Sequence, residues 1–257
     1  MAKAQLLALP SGCYSAVRRP IGCKYTMQVV IHTNLNLANQ RETAGWLQDG
    51  FKCHGIAAEI TGDKTKKADV HVVQGPWYCY QEWLGQPNVL WLNRCFWGDS
   101  RFDLSLGWLR PDGSRDFRND TRTDGKGTLP QLKVKKDSRR ACIVFADYGR
   151  DMTDAVIEAR QTYQSVFFRP HPAKEQNSPV MTLRGPLEAL WAIGDVAIGH
   201  SSTVLVDAEI NGLQVISSDP LHVVHHDGDR ESWLKRLSWA NWNYLELQRG
   251  DFWEHLH

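Results

Sequence analysis

Residues 198–217 read IGHSSTVLVDAEINGLQVIS, and this stretch predicts the end of a strand, a helix and a second strand in close succession. The apolar residues up to Ile198 are typical of a buried strand, and TVLVDAEING has the spacing of an amphipathic helix that ends in glycine. The apolar residues after Gly212 predict another strand. Strands that alternate with helices build parallel sheets with helices on their faces, so the stretch predicts an α/β fold.

The same alternation occurs in both halves of the chain. The predicted strands of the first half are MQVVIHTN, IAAEIT, ADVHVVQG and NVLWLN, and those of the second are ACIVFADYG, SVFFRPHP, DVAIGHSS and LQVISSDP. The predicted helices are NQRETAGWLQDGFKCHG, PWYCYQEWLG, MTDAVIEARQTYQ, PLEALWAIG and TVLVDAEING, and RESWLKRLSWANWNYLELQRGDFWEHLH predicts one long helix or two. We therefore expect two Rossmann-like units at 27–125 and 138–257, a linker at 126–137 and an N-terminal extension at 1–26.

The composition is that of an ordinary soluble protein. The 257 residues are 42% hydrophobic and 23% charged, and a formal net charge of +1 gives no overall attraction to nucleic acid or to an anionic membrane. The six cysteines form no C-x-x-C pair, which favours free thiols in a reducing cytoplasm. We find no apolar run long enough for a signal peptide or a membrane span, so we expect a cytoplasmic protein.

Two local features leave alternatives open. Ten Lys or Arg lie between Arg110 and Arg140 against five Asp, which fits either a solvated linker or a surface that contacts phosphates. Eleven tryptophans are present, and five of them fall between Trp77 and Trp108. Most are expected in the core, while one or two could stack on sugar rings or bases.

Polar residues follow two predicted strands of the second unit. Arg169 and His171 come after SVFF, and Gly199 to Thr203 come after DVAI. Ligands of open parallel sheets bind beyond the carboxyl ends of the strands, where helix N-termini favour phosphate groups. Asp207 lies four residues after Thr203, about 6 Å away on the same helix face, where a carboxylate can accept hydrogen bonds from ribose hydroxyls. The alternative is that these hydroxyl residues are simple helix caps.

The stretches FFRPHP and LRGPLEALWAIGDVAIGHSSTVLVDAEINGLQVIS resemble the donor-binding half of GT-B glycosyltransferases, in the branch of capsule-polysaccharide and glycerophosphate transferases. The resemblance implies two Rossmann-like domains facing across a cleft. It also implies a nucleotide sugar such as UDP-glucose as co-substrate, with no other cofactor. The donor-binding residues that it implies are Arg169, His171, Gly199, His200, Ser201, Ser202, Thr203 and Asp207. Many relatives have Glu where Asp207 stands, and the shorter side chain of Asp207 implies a shifted ribose contact.

Such enzymes stabilise charge on the leaving diphosphate, and helix N–H groups with Arg169 and His171 would do this without a metal. We assign no D-x-D signature of the metal-dependent kind, and we find no carboxylate or Cys partner for His222, His225 and His226 at convincing metal-binding spacing. An inverting reaction needs a base from the first unit. We favour Asp99 and then His32, each of which has a loop turn or cap as its alternative interpretation.

The acceptor is predicted from compartment and charge alone. A chain without an anchor and with a basic section resembles phage enzymes that add sugars to hydroxymethylated pyrimidines in DNA, which would place it in the host cytoplasm. Acceptor contacts are then expected from Trp77, Trp97, Arg110 and Arg115. The alternatives are a transferase for a capsule or lipopolysaccharide glycan, a nucleotide-sugar epimerase of the same fold, or a non-catalytic nucleotide-binding protein. No P-loop and no G-x-G-x-x-G are present, which argues against a P-loop kinase and an NAD enzyme.

Overall fold

The computed structural model describes residues 27–74, 81–97, 102–113, 115–116, 122–147, 150–172, 174, 176–226 and 229–256. These residues form two sheets that are rich in parallel strands and are covered by helices, so the predicted α/β class is confirmed. The proposed N-terminal extension at 1–26 lies outside the described residues.

The first sheet has seven described strands in the order β12-β5-β4-β3-β1-β2, in which β12 is the C-terminal strand Asn241–Asn243, and β6 pairs with β5. Strands β1 to β4 are parallel, and β5 is antiparallel to its neighbours β4, β6 and β12. Its elements in the first half are β1 (Gln28–His32), α1 (Ala38–Cys53), β2 (Ala57–Thr61), β3 (Val70–Gln74), a 3₁₀ turn (Gln81–Trp83), β4 (Val89–Arg94), β5 (Asp103–Leu109) and β6 (Arg115–Asp116).

The second sheet has five described strands in the order β11-β10-β7-β8-β9, and every pairing is parallel. Its strands and helices are β7 (Ala141–Phe145), α2 (Thr153–Thr162), β8 (Ser165–Arg169), β9 (Met181–Thr182), α3 (Leu187–Ile193), β10 (Val196–Gly199), α4 (Val204–Ile210) and β11 (Gln214–Ser217). The central strand β7 is a short apolar run, ACIVF, with apolar clusters on both of its faces. Strands buried on both faces lack apolar–polar alternation, which is why these runs read as continuous.

Two strands arise between Gly98 and Asp137, where we predicted neither a strand nor a helix. The run DLSLGWL forms β5, which pairs with β4, and β6 pairs with β5. Leu104 and Leu106 are buried and Trp108 is half-buried on one face, and Ser105 and Leu109 are buried on the other, so both faces of the strand are covered. The alternation of apolar and polar residues in this run is short, and the glycines, aspartates and arginines on either side made it hard to recognise as a strand.

The C-terminal segment forms neither the one long helix nor the two helices that we expected. It forms α5 (Arg230–Ser238), β12 (Asn241–Asn243), α6 (Tyr244–Arg249) and α7 (Asp251–Leu256). Asn243 and Glu246 form a capping box that starts α6, and Gly250, with a φ of 81°, ends it. These local signals interrupt the helical periodicity that the apolar residues share.

This segment also returns to the first sheet rather than staying with the second. Strand β12 pairs with β5, and Trp242 is fully buried in the core of the first sheet. Helix α6 packs closely on α1, because Gly50 lets the carbonyl oxygen of Leu247 approach to a point 2.0 Å from where a Cβ would lie. The residues after 240, which we assigned to the second unit, therefore belong to the core of the first.

An apolar cluster joins the two sheets. Phe96, which follows β4, is 3% exposed and lies among residues of α4 and α5, namely Val206, Ile210, Trp233, Leu234 and Leu237. Two hydrogen bonds also fix the residues that follow β4. Asn241 accepts one from the Phe96 N–H and donates the other to the Trp97 carbonyl. The end of β4 is thereby held beside α4.

Candidate functional site

The second sheet reverses its strand order between β7 and β10. From β7 the chain runs outward through β8 to β9, and then α3 carries it to β10 on the other side of β7. In open parallel sheets, ligands bind outside the carboxyl ends of the strands at such a switch point. The polar residues predicted after β8 and β10 stand at this edge.

Asp147, which the sequence analysis did not select, connects the two strands of the switch point. Its Oδ2 atom accepts the Ser201 N–H at 3.1 Å and the Ser201 hydroxyl at 2.8 Å. The Ser201 amide, which we expected to face an anion, therefore already has an acidic acceptor. Asp147 comes two residues after a buried strand, and that position was the signal that could have revealed it.

The loop between β10 and α4 is held by the close packing of Gly199 and by a hydrogen bond to the Ser202 carbonyl. Gly199 is buried, and a Cβ there would lie 3.1 Å from the side chain of Leu205. Thr203 stands at the N-cap of α4 without a side-chain capping bond, so it is not the helix cap of the alternative interpretation. The Ser202 carbonyl instead accepts a hydrogen bond from Nε2 of His222 at 3.1 Å.

His222 is a structural member of this loop. Its Nδ1 accepts the Val224 N–H, so its Nε2 carries the proton that it donates to Ser202. Burial lowers its pKa to about 4, which keeps the ring neutral at physiological pH. The neutral ring fixes the carbonyl at the start of α4 without adding charge.

His200 joins a second network at the same edge. Its Nδ1 lies 3.0 Å from the Ser218 hydroxyl, and Nη1 of Arg150 lies 3.2 Å from that Nδ1. The Ser217 hydroxyl donates to the His200 carbonyl at 2.6 Å. Arg150 follows β7 and was not predicted from the sequence, yet it is the cation that the structure places against His200.

Arg169 and His171 occupy the end of β8. Arg169 donates from Nη1 to the Leu183 carbonyl at 3.1 Å, which ties its side chain to the strand end of β9. Partial burial lowers the pKa of His171, and Arg94 lowers it further, while Asp147 raises it in part. A neutral imidazole at this point can donate a hydrogen bond but brings no full positive charge.

A cavity of about 330 Å³ adjoins Arg150 on the β8 side of this edge. Polar side chains dominate its wall, among them Arg150, Asp151, Lys174, Gln176 and Asn177. The Asp151 carboxylate accepts the N–H and the hydroxyl of Thr153, and these hydrogen bonds lower its pKa. Two cations with amide side chains therefore face a space large enough for a sugar or a base.

Asp207 lies one turn into α4, near the start of α3. Burial raises the pKa of its carboxyl to about 7, and Glu188 in the first turn of α3 contributes to this rise. Both helices begin at the carboxyl edge of the sheet, so Asp207 lies close behind the loop of Ser201 to Thr203. A carboxyl with this pKa changes charge in the physiological range.

In the first sheet, His32 lies at the equivalent switch point between β1 and β3. It is 4% exposed, and its Nε2 lies 3.0 Å from Nδ1 of His71, with Trp83 against both rings. The Asp63 carbonyl at 3.2 Å can only accept, so His32 carries its proton on Nδ1 and His71 donates to Nε2. Burial, with His71 as a second cause, lowers the pKa of His32 to about 4. Both nitrogens of His32 are therefore engaged, and its role as a base stays a prediction.

The other residues proposed for the acceptor side are spread out. Asp99 and Trp77 lie outside the described residues. Trp97 is half-buried against the cluster around Phe96, where it contributes to packing. Arg110 is exposed at the end of β5, and Arg115 lies 3.4 Å from the Ser105 hydroxyl and close enough to His222 to lower the pKa of that ring.

The basic section between Arg110 and Arg140 uses several of its described cations within the molecule. Lys136 donates to the Trp191 and Gly194 carbonyls at the end of α3, and Lys135 pairs with Glu209 at 2.6 Å. Lys126 pairs with Glu246 at 2.8 Å, and Arg122 lies 4.0 Å from the ring centre of Trp239. Residues 122–136 of this section, which we call the strap, therefore connect the two sheets.

Within the described part of the chain, no helix combines the length and the apolar character needed to cross a bilayer. The described cysteines, Cys53, Cys95 and Cys142, are free thiols.

Comparison with known proteins supports the fold. No family model and no curated protein matches the sequence. Among solved structures, KpsC from Thermosulfurimonas dismutans, named a beta Kdo 2,7 transferase, is similar with a TM-score of 0.50 at 9% identity, over 88% of this chain and 98% of that chain. A second structure from that organism, KpsC named a beta Kdo 2,4 transferase, has a TM-score of 0.47 at 12% identity, over 84% of this chain and 90% of that one. The protein thus shares the α/β fold of the first of these two structures.

Proposed function

We propose that the protein is a glycosyltransferase that moves a sugar from a nucleotide-sugar donor to a hydroxyl group of a glycan. The observation that carries this proposal is the cluster at the switch point of the second sheet, where Asp147, Arg150, His171, His200 and Ser201 meet. Cationic and hydrogen-bonding groups at this place suit the phosphates of a nucleotide. The similarity in fold to a solved transferase supports the same interpretation.

We favour the glycan acceptor over DNA. The DNA hypothesis depended on a basic strip, but Lys126, Lys135 and Lys136 are bonded to protein acceptors. Cations that already have acceptors release few counterions from a nucleic acid, so they add little to DNA affinity. A transferase for a capsule or lipopolysaccharide glycan, the alternative left open by the sequence, fits these contacts better.

In this proposal, the residues act mainly on the leaving group. His171 and Arg169 donate hydrogen bonds to phosphate oxygens as negative charge develops there, and Asp207 accepts from the ribose hydroxyls. Asp147 orients the loop by holding the Ser201 amide and hydroxyl. Asp99 remains our first choice as the base that deprotonates the acceptor hydroxyl, and the mechanism requires no metal.

The test is a panel of sugar nucleotides that includes UDP-, GDP- and CMP-linked sugars, each incubated with a glycan acceptor and with hydroxymethylated DNA. We expect mass spectrometry to find one donor whose sugar is transferred to the glycan. Label on DNA would reverse the choice of acceptor, and an altered sugar still joined to its nucleotide would indicate an epimerase. Absence of both transfer and nucleotide binding across the panel would refute the proposal.

Asp207 gives donor binding a characteristic dependence on pH. Its pKa of about 7 means that the ribose-accepting carboxylate is mostly protonated at pH 6 and mostly ionised at pH 8. We therefore expect nucleotide affinity to rise about tenfold over this range, because binding favours the ionised form. The Asp207→Asn variant should lose this rise and keep only the contribution from titration of the phosphate itself.

Calorimetry of the bound nucleotide at several pH values measures both curves. Parallel pH dependence in the wild-type protein and in Asp207→Asn would show that Asp207 does not contact the donor. The same experiment reports stability, since a carboxyl with a raised pKa destabilises the fold as pH rises from about 4 to about 7. Asp207→Asn should therefore be the more stable protein at pH 8.

A further inference from the structure

Arg94 ends β4 in the first sheet, at the carboxyl edge where the parallel strands of that sheet stop. Its side chain is exposed, and its backbone is fixed by a hydrogen bond from the Ser105 hydroxyl to its carbonyl at 2.7 Å. Within the described part of the chain, no acceptor lies at hydrogen-bonding distance from its guanidinium group. The group is therefore available to a ligand.

The chain just after Arg94 is anchored to the second sheet. Phe96 is buried against Val206 and Ile210 of α4, and Asn241 bonds to both Phe96 and Trp97. Helix α4 starts directly after the loop of Ser201 to Thr203. The anchor therefore holds the end of β4 beside the switch point of the second sheet.

The electrostatics agree with this placement. Arg94 is near enough to His171 to lower the pKa of that imidazole, although the two residues belong to different sheets. Charges at the surface act strongly only within about 10 Å at ordinary salt concentration. The other charged group that acts on His171 is Asp147, which follows β7 and opposes the effect of Arg94.

The second sheet alone offers an incomplete site for a dianion. His171 is neutral, and the negative charge of Asp147 offsets one of the two positive charges of Arg169 and Arg150, so the charge of a dianion is not balanced. A guanidinium group matches two phosphate oxygens in one plane and always carries its charge. We propose that Arg94 is a phosphate-binding residue that the first sheet contributes to the donor site on the second, an inference that rests on the proposed function.

The first test does not need a ligand. In NMR titrations of the free protein, Arg94→Ala should raise the pKa of His171, because a repelling positive charge is removed. Arg160→Ala is the matched control, since Arg160 is exposed at the far end of α2 and should leave His171 unchanged. If the titration of His171 is the same in Arg94→Ala and in the wild-type protein, the two residues are not adjacent and the inference fails.

The second test measures nucleotide binding by calorimetry, with UDP, GDP and CMP as probes and with the matching nucleosides as phosphate-free references. We expect Arg94→Ala to bind the nucleotide about 10- to 100-fold more weakly and the nucleoside equally well. Arg94→Lys should fall between, because lysine keeps the charge but not the paired hydrogen bonds. Arg160→Ala should bind like the wild type.

The outcomes separate the two hypotheses. If the wild-type protein binds a nucleotide and Arg94→Ala binds it equally well, the role of Arg94 is refuted and the proposed function stands. If the wild-type protein binds none of the probes, the donor site and Arg94 fail together. Thermal melts of each variant by circular dichroism show whether a loss of binding reflects unfolding.

Discussion

Replacing Glu209 by alanine is expected to lower the free energy of unfolding by about 3 kcal/mol. The Glu209 side chain is 6% exposed and bonds two cations, Lys135 at 2.6 Å and Arg230 at 2.8 Å. Its removal would leave a largely buried guanidinium group without its partner carboxylate. The expected value is at the low end for broken buried ion pairs, because Lys135 is 36% exposed and can turn to water.

The loss should affect the contacts between α4, α5 and the strap, and not only helix α4 itself. Glu209 lies in α4, Lys135 in the strap before β7, and Arg230 in the first turn of α5. Arg230 also donates to the carbonyls of Lys133 and Glu209, so one guanidinium group joins three segments. Breaking the cluster should therefore loosen α4 beside the candidate site, and nucleotide binding should weaken with stability.

Urea denaturation followed by tryptophan fluorescence measures the change. Glu231→Ala is the matched control, because Glu231 is 70% exposed and pairs with Lys235 one helical turn away. Such an exposed pair contributes less than about 0.5 kcal/mol. An equal, small loss in both variants would show that the cluster around Glu209 adds nothing beyond a surface ion pair.

Much of the fold could be predicted because its signals are local. Strands such as QVVIH and ACIVF are short apolar runs with turn residues at both ends, and Gly212 marks the end of α4 with a φ of 82°. A Cβ at Gly212 would lie 2.2 Å from the Val134 carbonyl oxygen, so the position also requires glycine for packing. The positive φ is a local requirement that the sequence reports, whereas the contact with Val134 is a distant one that it does not report.

The features that were missed depend on distant contacts. The segment NWN becomes a strand because β5 offers it an unpaired edge, and β5 itself is more than a hundred residues away. The strap over 122–136 looked like solvated linker because its partners Glu209, Trp191 and Glu246 are far along the chain. No periodicity in a single sequence reports such pairings.

The candidate site shows the same division. The residues after β8 and β10 could be selected because the carboxyl ends of parallel strands are predictable binding positions. Asp147 and Arg150 escaped because their importance comes from bonds to Ser201 and His200, some fifty residues later. Arg94 escaped because its neighbour His171 belongs to the other sheet.

His171→Ala is expected to lower kcat about 100- to 1000-fold for the donor identified by the panel. This is the range measured when one preorganised hydrogen-bond donor to a developing negative charge is removed. His171 suits this role because its neutral ring can donate at the switch point, close enough to Asp147 and Arg94 for both to affect its pKa. A donor that acts chiefly in the transition state should change kcat much more than the affinity for the nucleotide.

Steady-state kinetics with a fixed glycan acceptor, together with calorimetry of the nucleotide, separates these two effects. His225→Ala is the matched control, since His225 is exposed on the loop before α5 and the described hydrogen bond of its side chain goes to the Asp219 carbonyl. It should keep both kcat and nucleotide affinity. A His171→Ala enzyme with normal kcat but weaker nucleotide binding would show that His171 acts in ground-state binding alone. The charge on the leaving group would then have to be stabilised by Arg169 and by Arg94. In that case Arg94→Ala, rather than His171→Ala, should lower kcat.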